Sequence, residues 1–153
     1  MTTLVALRPA AEGDLPSIVA IEKASFSDPW TLASFRSMLA LPQVMATVAE
    51  EEGVVVGYTV AWVVGDEAEL ANLAVAPARR GTGIGARLLD SLLGALDARG
   101  GATIYLEVRD SNEAAQALYR SRGFTSAGRR KGYYRLPSED AVVMRRARSS
   151  GGD

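Results

Sequence analysis

The sequence predicts a single α/β (α+β) domain, with a mixed and mostly antiparallel sheet of about seven strands flanked by four helices. Its 153 residues suit one domain and are too few for two ordinary ones. Apolar residues make up 48% of the chain and charged residues 23%, which is typical of a globular protein. The hydrophobic period alternates between that of strands and that of helices, in the order β-α-α-β-β-β-α-β-α-β-β.

The N-terminal half predicts a short strand, two helices and then three strands. Asp14 and Thr31 are candidate N-caps of the two helices, because their side-chain oxygens can accept hydrogen bonds from free N–H groups. After Pro42 the pattern becomes β-branched, which indicates strands, and Gly53 marks the turn of a hairpin. The strands expected in this half cover residues 4–7, 44–50, 54–64 and 67–75.

The C-terminal half predicts two helices and three strands. Leucines at steps of four follow Ile84 and indicate a helix, which Gly100 and Gly101 end. Asp110 and Glu113 have the spacing of a capping box and are expected to open the last helix. The remaining strands are expected over residues 103–108, 124–131 and 141–146, within a domain of residues 1–147 and before a disordered tail of residues 148–153.

The composition excludes several kinds of chemistry. The chain has no cysteine and no histidine, so it has no thiolate nucleophile and lacks the commonest metal ligand and general base. Acid–base catalysis must therefore use Asp, Glu, Lys, Tyr, a terminus or water. No apolar run approaches the ~20 residues of a membrane span, and the N-terminus does not resemble a signal peptide. We expect a monomeric cytoplasmic protein with no metal and no membrane partner.

The charge distribution leaves two interpretations open. The net charge of −1 disfavours a nucleic-acid-binding domain. Arginines nevertheless concentrate in the C-terminal third of the chain. This is either ordinary surface variation or a positive face for an anionic ligand or a ribonucleoprotein partner.

A glycine-rich turn predicts a phosphate-binding site. Gly81, Gly83 and Gly85 lie between a strand that ends at Val75 and a helix that begins near Ile84. Glycines let the backbone approach a phosphate closely, and the helix N-terminus adds free N–H groups and a partial positive charge. The spacing matches neither a Walker A loop nor a dinucleotide-binding fingerprint. The alternative is a glycine turn with a purely structural role.

The segment Arg80-Gly-Thr-Gly83-Ile-Gly85 resembles the Gln/Arg-x-x-Gly-x-Gly/Ala signature of the GNAT acetyltransferase superfamily. The resemblance covers about residues 4–146 and implies a GNAT-type domain with acetyl-coenzyme A as co-substrate. It implies that the loop binds the pyrophosphate and that the preceding strand pairs with the pantetheine arm. The residues implied in coenzyme A binding are Leu73, Ala74, Val75, Arg80, Gly81, Thr82, Gly83, Ile84, Gly85, Ala86 and Asn112.

A second block narrows the resemblance. Leu-Glu107-Val-Arg-Asp-Ser-Asn, followed by Ala-Leu-Tyr119 and Gly-Phe, is similar to the RimI type, which acetylates the N-terminal alanine of the eighteenth small-subunit ribosomal protein. The resemblance implies a protein N-terminus as acceptor, bound by Trp30 and by Tyr133 and Tyr134 in the loop between the last two strands. Gly132 replaces an Asn common in that type, and the loop over residues 136–138 is shortened.

Glu107 and Tyr119 are the predicted catalytic residues. An α-amino group has a pKa near 8 and must lose a proton before it attacks. Glu107, at the end of an apolar strand, is expected to be partly buried and a stronger base; the family analogue is the general base. Tyr119 is expected to support the departing thiolate. The alternative for Glu107 is a surface carboxylate that pairs with Arg109 or another neighbour. The alternative for Tyr119 is a core tyrosine whose hydroxyl has a hydrogen-bond partner within the protein.

The sequence therefore predicts direct transfer, in which the amine attacks the thioester carbon without a covalent enzyme intermediate. Backbone N–H groups near Leu73–Val75 are expected to polarise the carbonyl. Two other functions stay open at this point. One is acetylation of lysine side chains or small amines, and the other is a non-catalytic module that binds coenzyme A.

Overall fold

A computed structural model describes residues 4–148, and the elements expected from the sequence are all present in the expected order. Residues 149–153 of the predicted tail lie outside the described residues. The strands are β1 Val5–Pro9, β2 Val44–Glu51, β3 Val54–Val64, β4 Glu67–Val75, β5 Thr103–Arg109, β6 Thr125–Tyr134 and β7 Glu139–Arg146. The helices are α1 Leu15–Ser25, α2 Leu32–Leu39, α3 Ile84–Ala98 and α4 Glu113–Ser121.

The seven strands form one sheet in the order β1-β2-β3-β4-β5-β7-β6. Neighbouring strands run antiparallel except β4 and β5, which are parallel. A parallel pair needs a crossover connection, and α3 supplies it. The fold class predicted from the sequence is confirmed.

Helices cover both faces of the sheet. Tyr58 and Val60 of β3 pack with α1 and α2, whereas Ala61 packs with the leucines of α3. Alternation of side chains along a strand explains this division. Gly57 lies on the α3 face, where a Cβ would meet Leu88 Cδ1 at 3.0 Å, so the absent side chain allows α3 to approach the sheet closely. No helix within residues 4–148 is long and apolar enough to cross a membrane.

The sheet opens between β4 and β5. The two strands pair over Glu67–Glu69 and Thr103–Tyr105, and their later residues diverge. The pairing of β4 with β3 shifts register at Ala71, which is a β-bulge. A bulge bends the strand and increases its twist, which helps to separate it from β5. The result is a cleft between the C-terminal halves of two parallel strands.

Three local expectations need correction. The side chain of Thr31 accepts from Ser34 N as expected, but the carboxylate of Asp14 caps the preceding turn by accepting from Ala11 N. The N-cap of α4 is Asn112 and not Asp110, because the Asn112 side chain accepts from Ala115 N. The β6 strand extends to Tyr134, so Tyr133 and Tyr134 lie at its end and not in a loop.

The C-terminal arginines are largely paired, which favours ordinary surface variation over a free positive face. Arg122, Arg129, Arg130, Arg135, Arg146 and Arg148 each lie within 4.0 Å of a carboxylate oxygen. Arg148 also donates through Nε to the carbonyl of Gly100.

Candidate active site

The opening between β4 and β5 is a cleft of about 470 Å³. The segment between α1 and α2, helix α4 and the end of β6 complete its walls. The sequence-predicted residues that line the cleft are Trp30, Leu73, Glu107, Asn112, Tyr119, Tyr133 and Tyr134. The remaining predicted residues, which are Ala74, Val75 and residues 80–86, continue from β4 into the glycine loop and the first turn of α3.

Glu107 is a half-buried carboxylate in this cleft. Its side chain is 15% exposed, and Oε1 lies 3.3 Å from Arg130 Nε. Burial raises the pKa of Glu107, the nearby carboxyl group of Glu69 raises it further, and Arg130 partly offsets the rise. The neighbouring cation is therefore Arg130 and not Arg109. Because its pKa is raised, Glu107 is a stronger base than an exposed glutamate.

Glu69 was missed by sequence reasoning. It lies opposite Tyr105, in the last pair of residues before β4 and β5 diverge, and it lines the cleft with Glu107. The alternation of β4 predicts only that Glu69 faces away from the core. Its proximity to Glu107 depends on which strand pairs with β4, and that partner is separated by a whole helix in sequence.

Tyr119 lies on α4, 8% exposed, with its ring edge against Phe124 at a centroid distance of 5.7 Å. Burial alone raises the pKa of Tyr119 to about 12. The phenol therefore keeps its proton at neutral pH and can act as a hydrogen-bond donor. The ring belongs to the core and also lines the cleft, so core packing does not remove Tyr119 from the cleft.

The glycine loop has the backbone that a phosphate cradle needs. Gly81 and Gly83 have φ of +77° and +87°, which side chains disfavour, and space is open where their Cβ atoms would lie. Gly83 is the N-cap of α3, no side chain among residues 4–148 caps this helix end, and no acidic residue lies in its first turn. The first N–H groups of α3 therefore remain available to an anion. The loop fits a pyrophosphate.

Arg80, Thr82 and Asn112, which are also implied in coenzyme A binding, make hydrogen bonds within the protein; the Thr82 hydroxyl donates to the carbonyl of Arg79 at 2.6 Å. The guanidinium of Arg80 donates to the carbonyl of Val75 at 3.1 Å and to Ser25 Oγ at 3.0 Å, which ties the loop to β4 and α1. Asn112 caps α4 and also borders the cleft. A plain helix-start role and a ligand contact are compatible at Asn112.

The acceptor-side residues meet at the mouth of the cleft. Tyr133 is 48% exposed, and its ring lies edge-on to that of Tyr134 at 5.0 Å. Burial raises the pKa of both tyrosines, so both stay neutral at physiological pH. Trp30, in the segment between α1 and α2, also lines the cleft and packs against Phe35. Neutral aromatic groups of this kind suit a peptide backbone and small side chains.

A buried carboxylate network supports this wall. Glu22 of α1 is 2% exposed and accepts hydrogen bonds from Trp30 N at 2.8 Å, Asn72 Nδ2 at 2.7 Å and the Tyr58 hydroxyl. A buried carboxylate with several donors is stabilised in place. The signal in the sequence was a glutamate four residues after Ile18 on the apolar face of a helix.

The sequence is similar to that of known acetyltransferases. The sequence model of the acetyltransferase (GNAT) family matches residues 15–124. The N-alpha-acetyltransferase RimI of Mycobacterium tuberculosis is 46% identical over 123 residues, which cover 78% of this chain and 76% of that protein. The [ribosomal protein bS18]-alanine N-acetyltransferase of Escherichia coli K12 is 39% identical over 133 residues, 86% of this chain and 89% of that protein.

The fold comparison leads to the same group of proteins. The crystal structure of the ribosomal-protein-S18-alanine N-acetyltransferase from Escherichia coli superposes with a TM-score of 0.91 at 36% identity, covering 98% of this chain and 97% of that one. Ard1 from Thermoplasma volcanium superposes with a TM-score of 0.85 at 26% identity, covering 93% and 96%.

Proposed function

Because the chain belongs to the GNAT acetyltransferase family, we propose that it acetylates the N-terminal α-amino group of a protein, the alanine end of a small-subunit ribosomal protein. The chain is an N-acetyltransferase, and acetyl-coenzyme A is its co-substrate. The identity of the acceptor is what we propose. It is supported by relatives named for alanine N-acetylation of bS18 at 37–39% identity. Such an acceptor would be met in the cytoplasm.

One observation carries the chemistry of the proposal. Glu107 and Tyr119 line the same cleft, and their pKa shifts suit opposite roles. A glutamate of raised pKa accepts a proton more readily than an ordinary one. A tyrosine with a pKa of about 12 keeps its proton and can donate a hydrogen bond to a developing negative charge.

The roles of the other residues follow from their positions. Acetyl-coenzyme A supplies a thioester whose carbonyl carbon the amine attacks directly. The loop over residues 80–86 would hold the pyrophosphate with backbone N–H groups, and the edge of β4 at Leu73–Val75, which β5 leaves unpaired, would offer backbone groups to the pantetheine arm. Glu107 would remove the amine proton, directly or through water, and Tyr119 would stabilise the leaving sulfur.

Aromatic side chains line the mouth of the cleft, and they favour a protein N-terminus with a free α-amine as the acceptor. Trp30, Tyr133 and Tyr134 line the same cleft as Glu107, and the two tyrosine rings contact each other. In this proposal Asn112 contacts the pantetheine, and the three aromatic residues contact the first residues of the acceptor. We also propose that residues 1–147 form the functional domain.

An acetyl-transfer assay tests the proposal. The acceptor is a peptide that begins with alanine, taken from the N-terminus of bS18, and two matched peptides accompany it. One carries a blocked α-amine, and the other has a blocked α-amine and an added lysine. Turnover on the free α-amine alone supports the proposal. Turnover on the lysine peptide, or coenzyme A binding without turnover on any peptide, contradicts it.

A further inference from the structure

Two segments form the walls of the cleft mouth: the segment between α1 and α2, and the β6–β7 hairpin. The guanidinium of Arg109, at the end of β5, forms hydrogen bonds with both walls. Nη2 donates to Ser27 Oγ at 2.8 Å and to the carbonyl of Arg135 at 3.0 Å. Nη1 donates to the carbonyl of Pro137 at 3.1 Å and to Glu139 Oε1 at 3.1 Å. Ser27 belongs to the segment between α1 and α2, and the other three residues belong to the β6–β7 hairpin.

The two walls also contact each other beside Arg109. Ser27 Oγ donates to the carbonyl of Arg135 at 2.9 Å, so Arg109 and Ser27 share that oxygen. The side chain of Arg135 pairs with Asp28 at 2.7 Å, but this pair is exposed and its contribution is small. The Arg109 guanidinium is better protected, because its side chain is 24% exposed.

Arg109 also contacts an aromatic residue of the mouth. Its guanidinium carbon lies 4.6 Å from the ring centre of Tyr134, within the range of a cation–π interaction. Tyr134 in turn packs edge-on against Tyr133. A shift of the guanidinium would therefore move both tyrosines as well as the two wall segments.

We propose that Arg109 is a positioning residue for the acceptor, which fixes the separation of the two walls and the orientation of Tyr134. The inference rests on the proposed function, since it assumes that the acceptor enters between these walls. Arg109 acts through Ser27, the β6–β7 turn and Tyr134, and it takes no part in proton transfer.

Arginine suits this position for a geometric reason. Its planar group carries five N–H donors in a fixed fork, and here they serve four acceptors on two segments while one face covers a ring. A lysine keeps the charge but offers three donors from one nitrogen. It can pair with Glu139 without spanning both walls.

The effect should be confined to the acceptor. The hydrogen bonds and the ring contact of the Arg109 side chain are all with Ser27, the β6–β7 hairpin and Tyr134, and none is with residues 80–86 of the glycine loop. Misplacement by about 1 Å costs a reaction up to about a hundredfold. We therefore expect Arg109→Lys to lower kcat/KM for the peptide by about ten- to a hundredfold, chiefly through a higher peptide KM because the acceptor site is no longer preformed, and to leave KM for acetyl-coenzyme A unchanged.

The experiment combines kinetics with hydrogen–deuterium exchange on the full chain. Arg122→Lys is the matched control, because Arg122 makes a two-point ion pair with Asp90 of α3 away from the cleft. Ser27→Ala is a second variant that removes one tie between the walls, and its peptide KM should rise about fivefold. Arg109→Lys should speed amide exchange over residues 26–30 and 135–139 but not over residues 80–86.

The outcomes are distinguishable. Faster exchange in both walls, with a rise in peptide KM alone, supports the proposal, and Arg122→Lys should match the wild type in both measurements. Unchanged amide exchange in Arg109→Lys overturns the proposal. A fall in kcat with both KM values unchanged also overturns it, because that is the effect of a smaller fraction of folded enzyme. If Arg109→Lys does not fold, Ser27→Ala decides by the same criteria. If the wild-type protein does not acetylate the peptide, the proposed acceptor is wrong, and the exchange data still decide whether Arg109 joins the walls.

Discussion

Replacement of Glu107 by Gln removes the proposed base and little else. Glutamine has nearly the same shape, so the packing of the cleft is kept. The lost ion pair is with Arg130, whose side chain is 59% exposed, and such pairs contribute about 0–1 kcal/mol. Burial of the carboxylate is unfavourable, as its raised pKa indicates, so the neutral amide relieves part of that cost. We expect no loss of folding.

The catalytic effect should be much larger than the effect on stability. General base catalysis contributes about 10²- to 10⁴-fold, and we expect kcat to fall by about 10²- to 10³-fold. That fall corresponds to about 2.7–4.1 kcal/mol of transition-state stabilisation, which exceeds any effect on folding. The affinity for coenzyme A should not change, because Glu107 belongs neither to the glycine loop nor to the edge of β4 that would hold coenzyme A.

The assay is steady-state turnover of the alanine peptide, with calorimetric titration of coenzyme A and thermal unfolding as controls. The pH profile adds a second criterion. Because the pKa of Glu107 is raised, the wild-type kcat should fall with decreasing pH through a value above the ordinary glutamate pKa, and this limb should be absent from Glu107→Gln. A loss in kcat of less than about tenfold, or an unchanged acid limb, would refute the assignment.

Three further changes test neighbouring parts of the account. Glu69→Gln removes a negative neighbour of Glu107, so the pKa of Glu107 falls and the acid limb of kcat moves to lower pH; a limb that stays in place would contradict the coupling. Tyr119→Phe removes one hydrogen bond to the leaving sulfur and should lower kcat less than Glu107→Gln does, with coenzyme A affinity unchanged; an equal or larger loss would make Tyr119 more than a hydrogen-bond donor. Tyr58→Phe removes a hydrogen-bond donor to buried Glu22. It should lower the free energy of unfolding by about 1.5–3 kcal/mol and the melting temperature by about 3–12 °C. An unchanged melting curve would show that this hydrogen bond is dispensable.

The order of elements was predictable because its signals are local. The hydrophobic period and the bounding Gly and Pro residues predict the strand over residues 67–75 and the helix from Ile84. Both elements have the expected bounds. The Thr31 cap is a contact between neighbours in sequence, and it is confirmed. The glycine loop was recognisable because its glycines adopt backbone angles that few other residues tolerate.

The parts that were not predictable depend on contacts between distant segments. The divergence of β4 from β5 needs the strand order and the bulge at Ala71, and neither leaves a periodic signal. Glu69 and Glu107 approach each other only because these strands pair first and then separate. The spacing of Asp110 and Glu113 predicts a capping box, but the helix begins at Glu113, and only its backbone shows that Asn112 is the N-cap.

The central claim is that one cleft holds both the thioester and an α-amine in position for direct transfer. Inhibition by two conjugates tests it directly: coenzyme A joined through an acetyl group to the α-nitrogen of the alanine peptide, and the same peptide joined through a lysine side chain. We predict that the α-linked conjugate binds at least about tenfold more tightly than coenzyme A and than the lysine-linked conjugate, and that it competes with both substrates. Equal affinity of the two conjugates, or an α-linked conjugate that binds no better than coenzyme A, would contradict the account.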